Sequence, residues 1–172
     1  MTAVSRQLVV MRHAKAEQVA ATDHDRVLSA RGLADASAAG RWVGEQDLQP
    51  DYVVVSSAAR TRSTWDRVAA AAGWDPAAVI DRSLYGAGTE GALEILRSAP
   101  AEARTVMLVG HNPTMAYLVH LLDDGGADPD VFARLSVEYP TSALTVLDVP
   151  GAWADLDVAS ARVRSFHVGR GG

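Results

Sequence analysis

The chain of 172 residues contains no cysteine. Disulfide frameworks, thiolate nucleophiles and cysteine-bound metals are therefore excluded, and the composition suits a reducing compartment. Long apolar runs are also missing. "MTAVSRQLVV" is too short for a secretory core, and no later run approaches the roughly 20 residues that cross a bilayer. A cytoplasmic location and no membrane contact are expected. Positive charge is not in excess: 16 Lys and Arg face 21 Asp and Glu, for a net charge of −5. Without a basic footprint, nucleic acid is not an expected partner. There is no glycine-rich phosphate loop and no H-x-x-x-H pair, which argues against a P-loop enzyme and a zinc hydrolase, so neither metal nor cofactor is expected. Neither repeats nor a domain linker interrupt the chain.

What is present is an ordinary globular composition, 48% hydrophobic and 22% charged, long enough for one domain with a sizeable core. Short, nearly continuous apolar runs mark buried strands of a parallel sheet: "QLVVM" (7–11), "YVVVS" (52–56), "TVMLVG" (105–110) and, nearly as good, "ALTVLDV" (143–149). "RVRSFHV" (162–168) alternates and reads as an edge or antiparallel strand. Helices are predicted between them. Residues 30–47 follow a Ser29 cap, 58–72 end at Gly73, 89–99 stop before Pro100, and 113–122 start with Pro113 behind an Asn112 cap. "DDGGADPD" (123–130) reads as an acidic loop, and the final "GRGG" (169–172) as frayed. The β-then-α alternation predicts a three-layer α/β/α sandwich over 1–172 with a mostly parallel central sheet.

Ligands of open α/β sheets bind outside the carboxyl ends of the strands. The first strand is followed by Arg12 and His13. The second is followed by Ser56, Ser57 and Arg60, and the third by His111. Arginine forks match phosphate oxygens and stay charged, while histidine serves as nucleophile or proton carrier near neutrality. Two unit charges 4 Å apart interact by roughly 4 kcal/mol at an effective dielectric near 20, so several such contacts stabilise a phosphoryl transition state without a metal. His111 precedes a helix, whose positive end disfavours imidazolium and favours a bound anion. The pattern predicts phosphoryl transfer through a phosphohistidine intermediate.

"MRHAKAE", "SSAARTRST" and "VGHNP", in this order and each after a strand, resemble the histidine phosphatase superfamily with its phosphoglycerate mutase-like fold. The "RHA" form, the short length and "DHDRVLSARG" look like its SixA-type branch of phosphohistidine phosphatases. The resemblance implies His13 as nucleophile, Arg12 and Arg60 as ligands of the phosphoryl oxygens, and His111 completing the pocket. It implies a further phosphate-side arginine at Arg26, with Asp23 orienting a histidine or arginine. Ala58 stands where the family often has proline. Larger relatives supply a glutamate as general acid, and the positional candidate is Glu90.

That last point bears on substrate. An alkoxide leaving group corresponds to a conjugate-acid pKa of about 15.7, and imidazole leaving from a phosphohistidine to about 6.5. At about 1.36 kcal/mol per unit the difference is at most about 12 kcal/mol, of which a fraction enters the barrier. A site without a dedicated acid therefore favours a phosphorylated protein carrying phosphohistidine over a small phosphorylated metabolite or nucleotide; the latter stays as the alternative, ahead of a non-catalytic phosphate-binding module. Ser57 is read as a phosphate donor or a helix cap. Arg62, about 200° around the helix from Arg60, is read as solvated. Lys15 and Glu17 are read as surface loop, His24 as exposed, and His120 as a satisfied helix residue; His167 receives no role. Trp42, Trp65 and Trp74 are read as core. Oligomeric state is not encoded legibly, and a monomer is compatible with the sequence.

Overall fold

The computed structural model describes residues 5–172. Its centre is a six-stranded sheet in the order β3-β2-β4-β1-β5-β6. In chain order the strands are β1 (Arg6–Arg12), β2 (Tyr52–Ser56), β3 (Val79–Asp81), β4 (Thr105–Gly110), β5 (Ala143–Val149) and β6 (Arg162–Val168). The helices are α1 (Ala30–Glu45), α2 (Ala59–Ala72), α3 (Arg82–Tyr85), α4 (Thr89–Arg97), α5 (Thr114–Leu122) and α6 (Pro129–Val137). Strands β1 to β4 are mutually parallel. The mostly parallel α/β/α architecture expected from the sequence is the one observed.

Alternation along the strands fills both faces. Leu8, Val10, Val106 and Leu108 point to a core with α4 and α5, where Leu93, Leu96, Met115 and Leu118 are buried. Val9, Met11, Met107 and Val109 point to the opposite core, under Val43 of α1 and Trp65 and Val68 of α2. Continuous apolar runs are what a sheet covered on both sides requires. Trp65 is fully buried, whereas Trp42 and Trp74 are partly buried at the edge of that core.

The register of β1 on β4 sets up the site. Arg12 lies opposite Gly110, so the next residues, His13 and His111, leave the sheet side by side. The backbone around His13 is then pinned. Its N–H donates to the Gly110 carbonyl at 3.0 Å and its carbonyl accepts from Ser142 N–H at 3.1 Å. The Ala14 N–H donates to Thr64 Oγ1 of α2 at 2.9 Å. Ser29 caps α1, accepting from Gly32 N–H at 3.0 Å, and its hydroxyl and N–H both donate to the Lys15 carbonyl. Gly73 ends α2 in the left-handed region at φ 75°, as its position predicts.

Several expectations are corrected. β5, read as one of the parallel strands, is antiparallel to β1, whereas β6 is an edge strand antiparallel to β5, as its alternation predicts. An apolar run reports burial on two faces and carries no strand direction. The acidic stretch 123–130 is loop only to Asp128, whose carboxylate caps α6 through Asp130 and Val131 N–H groups. β3 and α3 were not foreseen, being three and four residues long. Pro113 occupies the N-cap position of α5, one residue before its expected place inside the helix. Residues 169–171, read as frayed, are fastened: Gly169 N–H donates to the carbonyl of Ser142, just before β5, at 3.1 Å and Gly171 N–H to Asp35 Oδ1 of α1 at 2.9 Å.

Gly32 is where α1 meets the loop carrying His13. A Cβ there would lie 1.9 Å from the Lys15 carbonyl oxygen. Gly32→Ala gains roughly 1 kcal/mol of helix propensity but forces backbone apart, an overpacking that destabilises by roughly 1–3 kcal/mol. Chemical denaturation of the variant is expected to show a net loss of stability. A higher midpoint would contradict this packing.

Candidate active site

Four side chains foreseen from the strand ends converge. The rings of His13 and His111 have centroids 5.3 Å apart. Arg12 and Arg60 both act electrostatically on both imidazoles. His13 is 7% exposed and Arg60 is 5% exposed, so the pair of groups best suited to phosphoryl chemistry is nearly dry.

The tautomer of His13 follows from geometry. Nδ1 lies 2.7 Å from the Ala14 carbonyl oxygen, which only accepts. Nδ1 therefore carries the proton and Nε2 carries the lone pair. His111 Nε2 lies 2.7 Å from the hydroxyl of Ser56, the last residue of β2. When Ser56 donates to that nitrogen, His111 keeps an Nδ1–H as a neutral donor.

The arginines are held by groups that leave part of each guanidinium available. Arg12 Nη1 donates to the Tyr139 carbonyl at 3.1 Å. Arg60 donates through Nη1 to the Asp23 carbonyl at 2.8 Å and through Nη2 to Asp23 Oδ2 at 3.1 Å. Nε of both arginines is buried and has no partner among the described residues. Two buried N–H donors beside two imidazoles suit a tetrahedral oxyanion. Burial lowers the pKa of Arg12, but a guanidinium remains a cation at any working pH.

Asp23 is the hub of the second layer. It accepts from Tyr85 Oη at 2.5 Å, from Arg60, and from Arg26 Nε at 3.0 Å. The Tyr85 hydrogen bond above all, then those from Arg60 and Arg26, hold its carboxyl well below the usual carboxylate range. Asp23 is thus an anion at working pH and has no proton to give. Arg26 also donates to the Glu17 carbonyl at 3.1 Å, which ties the 23–26 turn to the loop after β1.

The other predicted residues fall differently. Ser57 does not cap α2; its Oγ lies 2.9 Å from His24 Nε2. His24, expected to be exposed, is half-buried with its ring edge-on to Tyr85 at 4.8 Å. Glu90 is not brought to the pocket. It sits in the first turn of α4, its side chain 78% exposed, paired with Arg97 at 3.2 Å. Arg62, Lys15 and Glu17 are exposed as expected. His120 is exposed, edge-on to Phe132, and His167 stacks on Trp42 at 4.5 Å. Ser56, His24 and Tyr85 were not assigned roles from the sequence. Ser56 had a usable signal, since it is a polar residue at the carboxyl end of an apolar strand, where ligands of such sheets bind. Tyr85 lies in a helix too short for any periodicity.

Comparisons with known proteins give the family. The model of the histidine phosphatase superfamily (branch 1) matches residues 8–85. Protein Rv1276c of Mycobacterium tuberculosis is 38% identical over 162 residues, covering 93% of this chain and 100% of the relative. A candidate phosphohistidine phosphatase SixA from Nakamurella multipartitia superposes with a TM-score of 0.83 at 37% identity, covering 96% of each chain. Its counterpart from Agrobacterium tumefaciens gives 0.77 at 32% identity, covering 95% of this chain and 97% of the other. The chain belongs to the histidine phosphatase superfamily. Within it the chain is of the SixA type, and it is a phosphatase.

For a histidine phosphatase the charge state of the two imidazoles is decisive. Burial, followed in effect by His111 and the arginines, pushes the His13 pKa down to about 3. Burial and then Arg60 push His111 down to about 4. Both are neutral across the physiological range, so neither repels the arginines and His13 retains its lone pair. Both native pKa values lie below the unfolded value near 6.5, so the unfolded chain binds more protons on acidification. Their contribution to stability is whole above pH 6.5 and is lost as pH falls from there toward 4, by a few kcal/mol at about 1.36 kcal/mol per unit. Urea unfolding of wild type and His111→Asn at pH 7 and pH 4.5 measures this. The variant is expected to lose less stability between the two; equal losses would contradict it. The histidine limb of kcat/KM should likewise fall near pH 4 or below and not near 6.5.

Proposed function

We propose that this phosphatase removes the phosphoryl group from phosphohistidine in a protein, through a covalent intermediate on His13 Nε2. The observation carrying the reading is the fixed tautomer of a buried, neutral His13 beside two arginines. Nε2 attacks phosphorus while Arg12, Arg60 and the neutral His111 hold the equatorial oxygens, where transition-state charge gathers. The substrate's P–N bond breaks and its electron pair goes to the departing imidazole. That imidazole is protonated on its other nitrogen, so it leaves neutral. Water then hydrolyses the phosphoryl-His13 bond and returns free enzyme and inorganic phosphate. Arg26, which lines the cleft with Arg12 and His13 and shares Asp23 with Arg60, and Ser57, which follows Ser56 at the end of β2, are proposed as substrate-binding groups.

Leaving-group chemistry selects the substrate. Asp23 is held as an anion, and Glu90 faces away on α4. With neither positioned to protonate an alkoxide, a phosphoramidate is favoured over an alkyl phosphate. The similarity to proteins described as phosphohistidine phosphatases supports the same substrate class.

A substrate panel tests this. A phosphohistidine peptide is expected to exceed glycerol phosphate in kcat/KM by at least about a thousandfold, equivalent to about 4 kcal/mol. Glu90→Gln is expected to change neither value. Comparable rates on the alkyl phosphate, or their collapse in Glu90→Gln, would favour a small phosphorylated metabolite as substrate.

A further inference from the structure

A cleft of about 470 Å³ opens beside His13, and its lining is unusually cationic for this chain. Arg12, Lys15, Arg26, Arg31 and Arg170 line it against the single acid Glu138, while the chain as a whole carries a net charge of −5. Arg12 and Arg26 belong to the phosphoryl pocket. Lys15, Arg31 and Arg170 extend beyond it and have no part in the phosphoryl chemistry derived above.

Their placement is built, not incidental. Asp35 of α1, 1% exposed, lies 3.4 Å from Arg170 Nη1 and 3.6 Å from Arg31 Nε, so one buried carboxylate holds both guanidinium groups at the cleft. Arg170 Nη1 also donates to the carbonyls of Thr141 at 3.0 Å and Gly169 at 2.9 Å. All its hydrogen bonds among the described residues run through Nη1, which leaves Nη2 and Nε free to donate. The flanking glycines permit the approach. A Cβ at Gly169 would stand 2.4 Å from the Asp35 carbonyl oxygen, and one at Gly171 would stand 2.4 Å from the Ala34 carbonyl oxygen. The segment lies against α1 only because both neighbours of Arg170 lack side chains.

We propose that Lys15, Arg31 and Arg170 form a second anion subsite that receives a carboxylate of the substrate next to its phosphoryl group, supplied by an acidic side chain flanking the phosphohistidine of a protein partner. The proposal rests on the phosphatase reading above and adds a selectivity to it. Asp35 neutralises one of the three cations, so the subsite keeps a surplus that an anion offsets. Its open mouth admits a peptide side chain, and its contiguity with His13 means one ligand spans both sites.

Two substrate pairs test it. Phosphohistidine peptides differing only in Glu or Gln beside the phosphohistidine form the first, and carboxyphenyl phosphate with phenyl phosphate the second. Wild type is expected to prefer the Glu peptide by about five- to tenfold in kcat/KM, mainly through KM, with the preference shrinking as salt is raised. Arg170→Ala and Arg31→Ala should bring that ratio toward one, and Arg170→Lys should keep part of it. A ratio of one in wild type for both substrate pairs, or a preference unchanged in both alanine variants, would overturn the subsite. Calorimetric binding of the same peptides to His13→Asn reads the preference without turnover, so a failed phosphoryl transfer does not mask it. A preference confined to carboxyphenyl phosphate would uphold the subsite and transfer it to small molecules, contradicting the protein-flank source.

Discussion

The active site depends on the register of two neighbouring parallel strands. Because β1 pairs with β4 so that Arg12 faces Gly110, the residues that follow are His13 and His111, and their rings meet at 5.3 Å. A slip of one residue would turn every side chain of β1 to the other face and separate the imidazoles. The two apolar cores guard against that slip. Leu8 and Val10 fill one, Val9 and Met11 the other, so a slip would exchange the two sets and force both cores to repack. The same burial that holds the register also dries the site and keeps the histidines neutral. Packing and chemistry therefore share one cause.

The second layer converts that placement into orientation. Asp23 anchors Arg60, Arg26 and Tyr85 at once, and Tyr85 is edge-on to both His24 and His111. Ser56 aligns His111 and the Ala14 carbonyl aligns His13. His111 is thus fixed from the end of β2, His13 and Arg12 by the Ala14 and Tyr139 carbonyls, and Arg60 by the 23–26 turn. Such preorganisation lets charge stabilisation act without reorganisation at the moment of reaction.

The principal strands and the two large helices α1 and α2 were legible because apolar continuity, a serine cap and a glycine stop are local signals. The four convergent residues were legible because strand ends in an open α/β sheet share an edge. What stayed hidden was nonlocal. The direction of β5 is set by its partners, and both its faces are buried in either direction. β3 has two exposed residues of three and so lacks an apolar signature. Glu90 is acidic at a familiar position, yet α4 turns it to Arg97, away from the pocket. Residues 169–171 look like a flexible end by composition, but glycine here serves close approach to α1. His24 and Tyr85 reach the site through pairings that no spacing in the chain announces.

The central claim is that His13 attacks through Nε2 because Nδ1 is committed to the Ala14 carbonyl. Rapid quench with a phosphorus-labelled substrate, followed by digestion and phosphorus NMR of the peptide containing residue 13, tests it most directly. The account predicts an acid-labile, base-stable phosphoryl group bonded to Nε2 of His13. A phosphoryl group on Nδ1, on another residue, or on none at all during turnover would contradict it.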